Sequence, residues 1–195
     1  MPSAHLIQMW VRRPREGSSA SDAWRTMLAI CLVYRQRCSP FQCVVDVRRL
    51  PGSRSFPQYN GDALAASLTE HGIDYWHLKA LYGRRSKGEL HGAPPEDFWT
   101  NASFARYAAY ARSATFAQGL DELLQRARRQ RCVLMCSEAV WWRCHRRIIT
   151  DHLLAHGATV CHIMGPGKIM TATLTRGARV RNAEVICPKA DEPTA

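Results

Sequence analysis

From Cys43 onward, apolar and polar positions alternate in blocks that each read as one element. Cys43-Val44-Val45-Asp46-Val47 is a short apolar run broken by one carboxylate, the pattern of a buried strand. Asn60 or Asp62 caps a helix that runs to His71, with Leu64, Ala65 and Leu68 inward and Gly72 as its stop. Ile73–Leu78 is the next strand, with Ile73, Tyr75 and His77 on one face. Ser103–Arg112 carries Phe104, Tyr107 and Ala108 at helical spacing. Thr115–Gln118 reads as a capping box that opens a second helix through Arg129, with Leu120, Leu123, Leu124 and Ala127 inward. Cys132–Cys136 is a continuous apolar strand. After a polar turn, Ile148, Ile149, His152, Leu153 and His156 recur at helical spacing up to Gly157. Ala158–Ile163 is a further strand, Gly165-Pro166-Gly167 turns the chain, and Lys168–Leu174 and Ala178–Ile186 are expected to pair as a terminal hairpin about Arg176-Gly177.

Alternating strands and helices predict an α/β fold with a mainly parallel sheet and flanking helices. The first 42 residues lack any sustained period. Ala23–Val33 is the one helix expected there, with Ser21 or Asp22 as cap. Lys79–Thr100 is a long loop punctuated by Gly83, Gly88, Gly92, Pro94 and Pro95, and loops of that length in a compact domain tend to be functional. Pro188–Ala195 is expected to fray.

Size and composition narrow the classes. A chain of 195 residues with 46% hydrophobic content suits one domain with its own core. No apolar run approaches the roughly 20 residues that span a bilayer, and no secretory pattern opens the chain, so a cytoplasmic location without membrane contact is expected. The eight cysteines lie mostly inside apolar runs, which favours reduced thiols. The formal charge of +11 fits two accounts: a surface for nucleic acid or another anion, or simply a genome rich in Arg codons. Arg126, Arg128, Arg129 and Arg131 close a helix, where positive charge is favourable in any case.

Candidate chemistry concentrates in Arg131–His156. Cys136, Ser137, Glu138, Cys144, His145 and Arg146 crowd the turn after a buried strand, where α/β sheets bind ligands. Cys136 faces a helix N-terminus and is the candidate nucleophile, with Glu138 and His145 as candidate acid or base and Arg146 as anion holder. For Cys136 the competing role is a small core residue; for Glu138 it is a structural clamp to Arg48 or Arg146. Asp46, Arg48, Ser53 and Arg54, at the other motif-bearing strand end, form either an anion cradle or a loop braced by an internal Asp–Arg pair. Cys136, Cys144 and His145, with Cys161 or His162, offer zinc donors. The spacing is not that of a zinc ribbon, and the adjacent Cys144 and His145 are expected to point apart. No metal is therefore assigned, and the cofactor is left open. Trp141 and Trp142 cannot share one buried helical face, so one is free to lid a pocket or stack on a base. There is no Walker loop and no GxGxxG fingerprint.

Several motifs are familiar together: Val45-Asp46-Val47-Arg48 with Pro51 and Ser53-Arg54, Gly72-Ile73 with Tyr75, Leu134-Met135-Cys136 with Glu138, Cys144-His145-Arg146, and His162-Ile163. From about Cys43 to Pro188 the chain resembles the domain of unknown function 488 family. The resemblance implies a Rossmann-like three-layer fold and a shared polar pocket, and no established reaction. Two departures stand out. Members usually open with a strand bearing a Thr-Ile-Gly-His-Ser-like motif, which Met1–Gln42 lacks, so the sheet is at risk of missing a strand. Tyr82 stands where members typically have Gly. The expectation is thus a small anionic or nucleotide-like ligand held at the carboxyl edge of the sheet, with Cys136, Glu138 and His145 acting on it. The alternatives are a basic nucleic-acid binder without catalysis and an inactive member with an altered beginning.

Overall fold

The computed structural model describes residues 5–8, 41–54, 56–86, 98–138, 140–165 and 168–187. In chain order they form β1 (His5–Gln8), β2 (Cys43–Asp46), α1 (Gly61–Glu70), β3 (Asp74–His77), α2 (Ala102–Tyr110), α3 (Ala114–Arg129), β4 (Cys132–Met135), α4 (Arg146–Ala155), β5 (Thr159–Gly165), β6 (Lys168–Thr171), β7 (Arg179–Arg181) and β8 (Glu184–Ile186). The first six strands build one mixed sheet in the order β3-β2-β4-β1-β5-β6. All its neighbours are parallel except β6, which runs antiparallel to β5.

β4 is apolar throughout, and β2 up to its last residue, Asp46, because both of their faces are covered. Val44, Val133 and Met135 pack with Leu64 and Leu68 of α1 on one side of the sheet. Cys43, Val45, Cys132 and Leu134 pack with Leu120 and Leu123 of α3 and with Ile149 and Leu153 of α4 on the other. Crossover handedness explains this split. The step from β2 through α1 to β3 moves towards one edge, whereas the steps to β4 and on to β5 move the opposite way. Right-handed crossovers in opposite directions place their helices on opposite faces. The chain therefore leaves the carboxyl ends of β2 and β4, which are paired from Cys43↔Cys132 to Asp46↔Met135, in diverging directions. A crevice opens where neighbouring strands part company in this way.

From Cys43 onward the expected helices and central strands are present, with local differences. Asn60 occupies the cap position of α1, yet its Oδ1 accepts from the Ser53 backbone N–H instead of capping the helix. Ala65, expected inward, is only half-buried beside the fully buried Leu64 and Leu68. α3 begins two residues earlier than expected. Its cap is Ser113, whose Oγ accepts from the Phe116 N–H, so Thr115 lies inside the helix. Gly72 and Gly157 take φ of +68° and +74° beyond the ends of α1 and α4, a region that only glycine enters without strain. His5–Gln8, from a stretch without a strand signal, pairs in parallel with both β4 and β5 and fills the place the missing family motif put at risk.

The terminal hairpin is the clearest correction. Lys168–Thr171 pairs with β5, which offers it an open edge, and the hairpin forms later, between β7 and β8. Its turn is Asn182-Ala183, both with positive φ, as a two-residue turn matched to strand twist requires. The expected helix Ala23–Val33, the Pro166-Gly167 turn, residues 87–97 of the long loop and the final eight residues lie outside the described residues. No helix among the described residues is long and apolar enough to cross a membrane.

Candidate functional site

The end of β2 is a closed ionic knot. Asp46 is completely buried, and Arg48 wraps back to it: Nη2 donates to Oδ2 at 2.6 Å and Nε to Oδ1 at 2.9 Å. The Arg48 backbone N–H donates to the same Oδ1, and the Tyr75 hydroxyl from β3 donates to Oδ2 at 2.7 Å. Burial, and then the Asp46 carboxylate, push the Tyr75 hydroxyl well up, so it stays a proton donor. His77 Nε2 lies 2.9 Å from the Arg48 carbonyl and holds the loop from the same neighbouring strand. Of the two accounts of this loop, the internal Asp–Arg brace describes it. Ser53 and Arg54 complete no anion cradle: Ser53 Oγ accepts from the Phe56 N–H, and Arg54 is exposed away from the crevice.

The end of β4 carries the reactive groups. Cys136 and Cys144 are both buried with their sulfurs within 4.8 Å of each other, and Arg146 donates through Nε to Cys144 Sγ at 3.2 Å. Arg146 itself is only 1% exposed, and its Nη2 donates to the Glu138 carbonyl at 2.6 Å, fastening the turn to the start of α4. Burial alone would raise the Cys144 thiol. The hydrogen bond from Cys136 and the Arg146 guanidinium outweigh it and bring Cys144 down to about 6. Cys136 moves the other way, to about 12, because of the neighbouring Cys144 sulfur and because it is buried. These directions favour the thiolate on Cys144 over Cys136, the residue expected as nucleophile. The expected clamp through the Glu138 carboxylate is also corrected, since Arg146 takes the carbonyl and the carboxylate is exposed.

Between the two strand ends lies a cavity of about 350 Å³. Arg48, Cys136, Glu138, Cys144 and His145 line it, so the two motif loops do meet across one hollow. Asp46, Ser53, Arg54 and Arg146 do not: Asp46 and Arg146 act from behind, on Arg48 and Cys144. Sequence reasoning missed the exposed Arg49, Arg84 and Arg143 at the opening and the α2 wall of Ser103, Phe104 and Tyr107. Arg84 lies in the long glycine-rich loop and α2 follows it, which was the available signal. Tyr82, the departure from the family pattern, stacks on the buried Arg85 guanidinium at 3.7 Å, and Tyr110 stacks on its other side at 3.5 Å. Trp141 lies flat on His162 at 3.9 Å, and Trp142 is exposed; neither lines the cavity.

His145 sits between the thiols and α2. Its Nδ1 is 3.5 Å from Cys144 Sγ, and its ring packs on Tyr107 at 4.9 Å. The ligand atoms of Cys136, Cys144 and His145 all lie within 4.8 Å of one another, which corrects the expectation that adjacent Cys144 and His145 point apart. These three are the described residues able to hold a thiophilic metal. Cys161 and His162 are not part of the cluster.

Gly83 makes room for the imidazole. A Cβ there would stand 2.5 Å from His145 Nδ1 and 2.9 Å from its Cγ, with Tyr107 closing the other side. Gly83→Ala is therefore expected to cost about 1–3 kcal/mol, as overpacking does, and to displace His145 from Cys144. Denaturant midpoints should show the first effect and the His145 imidazole NMR signals the second.

Neither the curated proteins nor the solved structures hold a match to the chain. A family model does match, described as "Domain of unknown function DUF488", over residues 33–153, more than half of the 195 residues. That span takes in both strand ends, the cavity and most of α4. The chain belongs to the DUF488 family.

Proposed function

We propose that this protein is an enzyme that binds a small anionic molecule in the crevice between β2 and β4 and acts on it through Cys144. The observation behind this is a close pair of thiols, one of them bound by Arg146, in the wall of a hollow lined also by the exposed Arg49, Arg84 and Arg143. The cavity volume falls within the range of small-ligand sites, roughly 300–1,000 Å³. A thiolate beside an imidazole meets the general pattern of an activated nucleophile and its proton carrier. Of the expected trio, His145 keeps its part and Cys136 becomes the thiol beside the nucleophile. Glu138, exposed at the cavity, serves proton exchange with solvent. The rim arginines supply the charge that an anion seeks without burying it. We read the fold as Rossmann-like for the same reasons: parallel strands, helices on both faces, and a ligand crevice where the chain diverges.

Thermal shift with inorganic pyrophosphate and with nucleoside monophosphates tests the binding half. A ligand at about 100 times its Kd stabilises by about 2.7 kcal/mol, several degrees for a domain of this size. At least one of these anions should raise the melting temperature of the wild type, and Arg143→Ala should lose most of that rise. If no anion shifts the wild type, or if the triple variant R49A/R84A/R143A keeps the full shift, the cavity is not an anion site. Non-specific nucleic-acid binding would instead show as an electrophoretic shift that weakens steeply with salt.

A further inference from the structure

We propose that Cys144 and Cys136 are a peroxide-reducing pair, Cys144 attacking a small hydroperoxide and Cys136 resolving the product as a disulfide. This rests on the reading of the cavity as a reactive site and names the group attacked there, the O–OH of a hydroperoxide whose remainder carries the negative charge; hydrogen peroxide is the probe for the sulfur chemistry alone.

Three features of the geometry support it. The two sulfurs lie within 4.8 Å of each other, so side-chain rotation can bring them towards disulfide distance. Cys144 is only 3% exposed and meets the outside through the cavity wall. A terminal O–OH group is slim enough to reach such a sulfur through a cavity of about 350 Å³. Finally, His145 Nδ1 stands 3.5 Å from Cys144 Sγ, placed to take the thiol proton and to return it.

The chemistry balances without a metal or a further cofactor. The Cys144 thiol gives its proton to His145, and its sulfur attacks the terminal oxygen of ROOH. An S–O bond forms, the O–O bond breaks, and RO⁻ leaves with the proton from His145 as ROH. Sulfur has lost two electrons and the peroxide has gained them. Cys136 then attacks the Cys144 sulfenic sulfur: the S–S bond forms, the S–O bond breaks, and hydroxide leaves with the Cys136 proton as water. Two equivalents of a low-molecular-weight thiol restore the pair by exchange and are themselves joined as a disulfide.

A built-in comparison sits nearby. Cys43 and Cys132 are also side by side, in register on β2 and β4, yet both are wholly buried and neither lines the cavity. Adjacent thiols are common to the two pairs; access to the hollow belongs to one. Cys161 and Cys187 are half-buried, do not line the cavity and serve as outside references.

The test uses the full chain, reduced and then exposed to stoichiometric hydrogen peroxide. Peptide mapping should find a Cys136–Cys144 disulfide forming at least about tenfold faster than Cys161 or Cys187 is oxidised, as a placed thiolate with a resolving partner should. Cys136→Ser should stop at a sulfenic acid on Cys144 that dimedone traps, and Cys144→Ser should give neither product. Cys136→Ala serves in its place if the serine variant does not fold. If Cys144 is alkylated by iodoacetamide but peroxide yields no Cys136–Cys144 bond, the peroxide inference fails and the reactive-cavity reading stands. If Cys144 resists both reagents, both fail. Purified protein that holds one zinc per chain on Cys136, Cys144 and His145 would also overturn the peroxide inference.

Discussion

Asp46→Asn is expected to cost about 3–5 kcal/mol of stability, the range for breaking a buried ion pair from one side. The carboxylate is fully buried and accepts from Arg48 Nε, Arg48 Nη2, the Arg48 backbone and the Tyr75 hydroxyl. The amide keeps the volume but removes the charge and turns one acceptor into a donor aimed at a guanidinium. Arg48, itself 8% exposed, is then left as a buried cation without its counterion. A loss this large is a sizeable part of the total stability of an ordinary domain. Arg48→Met with Asp46→Asn should recover part of it, because the penalty comes from the orphaned charge more than from the lost bond. Urea unfolding of the two variants and the wild type checks this. A loss below about 1 kcal/mol for Asp46→Asn would mean that water reaches the pair and that β2 does not end in a closed knot.

The same residues show where sequence reasoning reached and where it stopped. Val45-Asp46-Val47-Arg48 and Cys136 with Glu138 could be assigned to strand ends from the apolar runs before them, and strand order then brought both ends to one crevice. Partners were beyond reach. An Asp two residues before an Arg fits a brace or a cradle equally well until the rotamer is known, and Arg48 turns inward. The difference between the thiols depends on which sulfur Arg146 reaches, and that is set by the entry into α4, not by spacing. Arg143 and Arg84 carry no pattern of their own, and the α2 wall is recruited across a long loop, so both required the tertiary structure. The misplaced hairpin has a similar cause. Lys168–Leu174 is a sound strand signal, but a free edge on β5 outcompeted the later partner.

The alkylation rate of Cys144 by iodoacetamide should rise with pH through about 6 and level off above 7, where an ordinary thiol is still climbing towards its pKa near 8.5. The sign follows from the cause. Burial opposes the thiolate, but the Cys136 hydrogen bond and the Arg146 guanidinium favour it more, so the anion persists to lower pH than in a free cysteine. The midpoint is a better measure than the rate. At pH 7 a thiol titrating near 6 is about 90% ionised against a few per cent for a free one, but intrinsic nucleophilicity falls with pKa and cancels much of that gain. Arg146→Met should move the midpoint up by at least 1 unit, towards the free-thiol value, since the guanidinium lies 3.2 Å from the sulfur. The same change should destabilise the fold by about 3 kcal/mol, because the Glu138 carbonyl loses its buried donor and the thiolate its counterion. Arg146→Lys separates the two effects: a point charge partly restores the midpoint, while the forked grip on sulfur and carbonyl is lost. A wild-type midpoint near 8.5 would mean that Cys144 is an ordinary buried thiol, and the arginines at the mouth of the cavity would then surround no nucleophile.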